Sequence, residues 1–305
     1  MRIVSLLPSS TEVVCRLGYE KNLVGRSHEC DYPLTVHKLP ICSEPKFDPS
    51  QGSSRDIDQQ VKTIVAESLS VYRIHTDKLK ELAPDIIITQ DHCEVCAVSV
   101  SDVKAAVCTW LKSQPKIVTL SSNNLDDIWK SFVLVAEAFG EPQKGQELIR
   151  QCQNQMLAIS KKAKAIGECP SILCIEWFDP LMAAGNWIPE FIDMLGAKNA
   201  FGHAGEHSPI ITWDDVMKKD PDIIVNMPCG WDIKRSLNEI KVLTDQSGWK
   251  NLKAVKNGQV YITDGHQYFN RPGPRLVDSL EILAEIMYPK HFHFGHHGPG
   301  WQKLD

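Results

Sequence analysis

The sequence predicts an α/β protein of two similar lobes, each with a parallel-type sheet flanked by helices, joined by one long helix. Three observations predict it. Between Pro142 and Ile166, apolar side chains recur at Leu148, Ile149, Cys152, Met156, Ile159 and Ala163, a spacing that draws one stripe along a helix. Pro142 suits a first turn, the run closes in Lys161, Lys162 and Lys164, and Gly167 and Pro170 stop it. At 1.5 Å per residue it reaches about 35 to 40 Å, enough to span two lobes. The second observation is a repeated plan. MRIVSLLPSSTEVVCRLG, at the start, and SILCIEWFDPLMAAGNWIPEFIDMLG, after the long helix, each run from a β-type stretch through a polar turn and a helix to Leu-Gly. The third pairs LKELAPDIIITQ (79–90) with VMKKDPDIIVNMP (216–228), where a helix end passes through Pro-Asp into an apolar strand. The divisions that follow are an N-terminal lobe in 1–140, a connecting helix in 141–167, and a C-terminal lobe with a His-rich tail in 168–305.

In chain order, IVSLL is a first core strand, and Ser9 or Ser10 is placed to cap the helix carrying Val13, Val14 and Leu17. LVGRS leads into His28-Glu29-Cys30-Asp31, a dense polar set. Residues 43–56 read as a surface loop, rich in Ser, Pro and Gly, and 57–82 as mainly helical. DIIITQ delivers Asp91-His92-Cys93-Glu94-Val95-Cys96, IVTL delivers Ser121-Ser122-Asn123-Asn124, and 125–139 is a further helix. In the second lobe ILCIEW leads to Gly185-Asn186-Trp187, the 202–209 loop carries His203 and His207, DIIVNM leads to Cys229-Gly230-Trp231, and VYITDG leads to the 266–273 loop. Parallel strands collect ligands beyond their carboxyl ends. The unusual residues fall there in both lobes. The tail, HFHFGHHGPGW, reads as extended and solvated; its histidines, His291, His293, His296 and His297, are the alternative, a metal site.

The 305 residues are enough for two lobes that each bury a core. A net charge of -5, with no basic patch interleaved with aromatics, argues against nucleic acid as a partner. No apolar run is long enough to cross a bilayer. The chain enters its first strand at Arg2, so it reads as cytoplasmic, or as periplasmic with a signal sequence removed. Ten cysteines, set mostly inside strand-like and helical runs, read as buried thiols of a reducing compartment.

Several constellations carry chemistry. His28 and Glu29 are candidate ligand contacts, against the alternative of a turn whose side chains bond nearby backbone. Cys93 and Cys96 form one CxxC, open to a thiol role or to simple packing. Trp177, Asn186, Trp187, Tyr268, Asn270 and Arg271 place indoles, amides and a guanidinium after strands, the mixture that a wide, flat, partly polar ligand needs. Each Trp taken alone reads as a core residue; together at the strand-end edge they read as a pocket. Cys229 is a candidate nucleophile or metal ligand, with His207 or His266 as base. There is no G-x-S-x-G, P-loop or G-x-G-x-x-G, so an enzyme is the less favoured class.

RIVSLLPSSTEVVCRLG, PDIIITQ, the long helix, the Gly185-Asn186-Trp187 turn and NGQVYITDG resemble the periplasmic binding proteins with a helical backbone, above all the vitamin B12-binding component of ABC importers. His28 to Asp31, Cys93/Cys96 and Met-Pro-Cys-Gly resemble a cytoplasmic-type subgroup. The resemblance covers the whole chain and implies a corrinoid, siderophore, haem or metal ion held between two lobes. A corrinoid is the ligand expected, contacted by Ser9, Ser10, Trp177, Trp187 and Tyr268 to Arg271, hydrogen-bonded by Asn186, Asn270 and Arg271, and with His28, His207 or Cys229 as axial metal ligand. An ABC importer is the expected partner if the protein is exported. The alternative is a cytoplasmic enzyme on the same scaffold, using a cleft Cys, His and carboxylate set with a bound metal.

Overall fold

The computed structural model describes residues 1–49, 51–66, 71–90, 100–107 and 115–304. They form two compact units. One comprises Met1–Gly52, Asp56–Ser122 and Asp126–Gln151, the other Ser53–Arg55, Asn123–Leu125 and Cys152–Asp305. The Cys93/Cys96 pair and His92 lie outside the described residues.

In chain order the first half contains β1 (Ile3–Ser5), α1 (Pro8–Arg16), β2 (Leu23–Arg26), β3 (Ser43–Pro45), α2 (Ser54–Ala66), β4 (Tyr72–Ile74), α3 (Thr76–Leu82), β5 (Ile86–Gln90), α4 (Val100–Val107), β6 (Lys116–Leu120) and α5 (Leu125–Ala138). The N-terminal unit holds one sheet in the order β2-β1-β5-β6, parallel throughout. Val4, Leu6, Leu79, Leu82, Ile87, Val103 and Val107 pack as its core. Buried on both faces, such strands read as continuous apolar runs. β3 and β4 pair antiparallel as a separate ribbon. Ser-Glu-Pro shows no alternation, so the sequence reads it as loop.

α6 follows over Pro142–Lys164, and the boundary between the units falls inside it, at Gln151 and Cys152. Its stripe is buried at Leu148, Cys152, Met156, Ile159 and Ala163.

The C-terminal unit adds β7 (Ser171–Trp177), β8 (Met182–Ala183), α7 (Ile188–Met194), β9 (Lys198–Asn199), α8 (Trp213–Lys219), β10 (Ile223–Asn226), α9 (Ile233–Glu239), α10 (Lys241–Thr244), α11 (Lys253–Lys256), β11 (Val260–Thr263), α12 (Leu276–Met287) and β12 (Trp301–Lys303). The sheet runs β12-β11-β10-β7-β8, with β9 also on β7. Its centre is parallel, while β8 and β12 join antiparallel at the edges.

The two Pro-Asp echoes are geometric as well as textual. α3 ends on Ala83 (φ 40°) and α8 on Asp220 (φ 44°), both left-handed, immediately before Pro-Asp. Each following carboxylate then holds the start of a neighbouring strand. Asp85 Oδ2 accepts from the Arg2 amide at 2.7 Å beside β1, and Asp222 Oδ2 from the Ser171 amide at 2.8 Å at the start of β7. One local device has been used twice.

Two local expectations are corrected. α1 begins at Pro8 with Leu7 as N-cap and no side-chain cap, because the Ser10 hydroxyl donates to the Leu7 carbonyl instead. The C-terminal tail is not solvated throughout. Phe292 is buried, β12 pairs with β11, and Glu285 accepts from the amides of Phe294 and Gly295 and from the Trp301 indole. No helix among the described residues is long and apolar enough to cross a membrane.

Candidate ligand-binding site

Beyond β1 and β2, the N-terminal unit builds a small network of hydroxyls and a thiol. Ser5 Oγ lies 2.6 Å from Ser10 Oγ, Thr11 Oγ1 donates to Ser5 Oγ at 2.8 Å, and Thr11 and Ser27 reach Cys30 Sγ at 3.1 and 3.2 Å. All five residues are buried. Desolvation is the main cause that pushes the Cys30 thiol up from its ordinary value. Beside them the buried Arg26 guanidinium donates to the carbonyls of Ser27, His28 and Cys30, which fixes the turn that carries His28 and Glu29. The His28 ring meets Ser43 Oγ at 3.1 Å and Tyr72 at 5.5 Å, and burial lowers its pKa. Ser10, expected as a ligand contact, is fully buried and spent on this network. Ser9 sits next to it in the first turn of α1.

The C-terminal unit is built differently. At the end of β7, Glu176 Oε2 accepts from Ser208 Oγ at 2.7 Å, and Ser208 Oγ accepts from the Gly185 amide at 3.1 Å. Burial pushes the Glu176 carboxyl above its ordinary range, against the opposing effects of Ser208, His207 and the Gly185 amide. The Asn186 amide donates to the Glu206 carbonyl at 2.7 Å, and the Gly205 amide donates to that of Asn186 at 2.9 Å. A Cβ on Gly185 would stand 2.5 Å from the Glu206 carbonyl oxygen, so the close approach of the two loops requires glycine. Asn186 itself is left-handed, at φ 52°, and its buried Oδ1 has no hydrogen-bond partner. Such strain in a non-glycine residue clusters at functional sites.

Next to this turn stand the aromatics. Trp177 and Trp231 rings lie 5.0 Å apart, Phe178 meets Trp231 edge-on at 5.9 Å, and the Arg235 guanidinium stacks 4.7 Å over Trp231. Trp231 is buried and Trp177 half-buried. Half-buried Cys229 donates its amide to the Glu176 carbonyl at 3.1 Å, and exposed His207 follows on the 202–209 loop with Nδ1 at 3.2 Å from the Ser208 carbonyl.

Several expected contacts are committed inside this unit. Trp187 is 6 % exposed, with its Nε1 buried and unpartnered, so it offers no free face for stacking. A π-helical turn over Gly265–Phe269 follows β11. There Asn270 Nδ2 donates to the Gly265 carbonyl at 2.9 Å, and buried Arg271 donates to His266 Nε2 at 2.8 Å. The Tyr268 ring faces Arg275 at 5.7 Å and His296 at 6.0 Å. Asn270 and Arg271 thus each make a bond within the loop, and Tyr268 lies beside the tail. His28, His207 and Cys229 are expected as alternative single ligands to a metal, not as one set. Among the described residues of this unit, the three-donor group is Asp278, Glu281 and His296, and neither His207 nor Cys229 belongs to it. His28 belongs to the other unit.

Glu176 and Ser208 were missed from sequence. The signal was a carboxylate closing the apolar run ILCIEW, where a strand end faces the ligand edge of the sheet. Two surface hollows, about 730 Å³ beside Asp56 and Gln59 and about 390 Å³ beside Asp232 and Asp264, contain none of the residues expected to touch ligand.

A family model described as periplasmic binding protein matches residues 3–266. The chain belongs to the periplasmic binding protein family. It is a substrate-binding protein with a small-molecule ligand. Its relatives include an uncharacterized ABC transporter substrate-binding lipoprotein, YvrC, of Bacillus subtilis, 26% identical over 95% of this chain and 81% of that one. A vitamin B12-binding protein of Vibrio parahaemolyticus is 20% identical over 93% of this chain and 88% of that one. In fold, the chain resembles a periplasmic heme-binding protein from Pseudomonas aeruginosa, with a TM-score of 0.71 at 20% identity over 100% of this chain and 98% of that one. The cytoplasmic-type subgroup suggested by His28 to Asp31, Cys93/Cys96 and Met-Pro-Cys-Gly gains no support from these relatives.

Proposed function

We propose that this periplasmic binding protein holds a corrinoid and delivers it to an ABC importer. The observation that carries the reading is the edge of the C-terminal sheet, where the Trp177/Trp231 pair stands after β7 and β10 and Glu176, at the end of β7, is bonded by Ser208 and by the Cys229 amide. Flat rings stack on a macrocycle, and the polar groups beside them select its substituents. A corrinoid carries neutral amide side chains, which donate to a carboxylate. Haem carries carboxylates, which Glu176 repels when it is ionised. Arg271, which would otherwise answer them, is buried against His266. The B12-binding relative supports the same choice. His207, exposed beside this edge, is the candidate axial ligand to cobalt, with Cys229 as its alternative and His28 as the candidate from the N-terminal unit.

Titration of the purified protein with hydroxocobalamin, cobinamide and haemin, read by calorimetry and visible absorption, tests this. Saturable corrinoid binding with a spectral shift that His207→Ala removes is the expected result. Corrinoid binding without a shift would remove axial coordination from the reading. Absence of corrinoid binding well above micromolar concentration would overturn it. With an importer as partner, the protein works outside the inner membrane, in place of the cytoplasmic location expected from sequence. Subcellular fractionation distinguishes the two.

A further inference from the structure

The histidine-rich tail is the motif that ligand binding does not absorb. Its chain is folded onto α12 rather than trailing from it. Asp278, Glu281 and Glu285 fall at i, i+3 and i+7 of that helix, on one stripe. Glu285 is used by the tail backbone and the Trp301 indole. Glu281 Oε2 lies 2.7 Å from His296 Nε2, and the donor atoms of Asp278, Glu281 and His296 all lie within 4.8 Å of one another.

We propose that Asp278, Glu281 and His296 form a binding site for a divalent cation of the zinc class, which fastens the tail to α12. Pinning the tail needs one carboxylate on His296. Asp278 brings a second carboxylate within reach of the same imidazole, and the three donors together can ligate a dication. One imidazole nitrogen and two carboxylate oxygens suit Zn²⁺, Co²⁺ or Ni²⁺ better than Mg²⁺ or Ca²⁺, which take oxygen alone. Three protein donors leave a fourth position for water, as zinc accepts. Zinc bonds of about 2.0 to 2.2 Å set tetrahedral donors roughly 3.3 Å apart, so the site closes by small side-chain rotations. All three residues are half-buried, which leaves the ion a way in. Tyr268 flanks the imidazole, with its ring 6.0 Å from that of His296. This site is separate from the Glu176 edge, and its test does not depend on the corrinoid.

The untagged full-length protein, stripped with EDTA, is titrated with Zn²⁺ by calorimetry and with Co²⁺ by visible absorption. One ion per chain is expected, with the d–d bands of low-symmetry Co²⁺. His296→Ala is expected to weaken binding at least about 100-fold. Glu281→Gln keeps an acceptor for His296 but removes a charge, and is expected to weaken it at least about 10-fold with an unchanged circular dichroism spectrum. Zinc should raise the melting temperature of the wild type more than that of Glu281→Gln at the same zinc concentration. No binding at about 100 μM Zn²⁺ would overturn the proposal. So would wild-type affinity in His296→Ala with loss in a His291→Ala/His293→Ala double variant, which would mark chelation by exposed tail imidazoles.

Discussion

The two sheet edges start from the same local plan and end as different surfaces. Beyond β1 and β2, small hydroxyls and a thiol close on one another, and Arg26 Nη1 holds the 27–31 turn. Beyond β7 and β10 lie an indole pair, a raised carboxyl and a left-handed asparagine, with Asn186 Oδ1 and Trp187 Nε1 buried without hydrogen-bond partners. A repeated backbone fixes where a site can stand. The side chains after each strand decide whether the edge is spent on the fold or left for a ligand.

Substitutions on the two edges separate these roles. Trp231→Ala removes the ring on which Trp177, Phe178 and Arg235 all rest, and should cost about 3 to 5 kcal/mol in urea unfolding of the C-terminal unit. Thr11→Val in the N-terminal unit leaves Ser5 and Cys30 without their shared partner, and should cost about 1 to 3 kcal/mol with no change in ligand affinity. Half-buried Trp177 behaves oppositely. Trp177→Ala should lower corrinoid affinity roughly tenfold by calorimetry, the scale of about 0.5 to 1.5 kcal/mol for an aromatic pair, with a smaller effect on stability.

Glu176 gives a pH signature. Its folded pKa is raised above the ordinary 4.5, so its contribution to stability is fully present below that pH and is lost as pH rises through the folded value. Glu176→Gln should therefore flatten the stability profile on the alkaline side of pH 4.5, measured by urea midpoints across pH. The smallest effect is chemical. Exposed Cys169 should alkylate in the native protein, while Cys30 and Cys174, buried and with thiol pKa values pushed up, should react only after unfolding, as mass spectrometry would show.

Much of the backbone was legible because its signals are local. The α6 stripe, the Pro-Asp entries to β5 and β10 and the Leu-Gly helix ends depend on neighbours a few residues away. The β3–β4 ribbon depends on pairing across a segment that contains α2, which composition does not show. Site residues were read by type, and type does not reveal commitment. Asn270 and Arg271 look like ligand donors in sequence, yet Asn270 Nδ2 bonds the Gly265 carbonyl and one Arg271 Nη bonds His266. Trp187 looks like a stacking face, yet it opens α7 from inside the core. The tail misleads for a related reason. Its polar average hides Phe292, Trp301 and the Glu285 carboxylate that gathers them.

The most direct test of the account is the ratio of cobinamide to haemin affinity, measured by calorimetry in the wild type and in Glu176→Gln. The account predicts that the wild type prefers cobinamide and that the variant narrows the ratio at least about tenfold, chiefly by tightening haemin. A wild type that prefers haemin, with a ratio unmoved by the substitution, would contradict it.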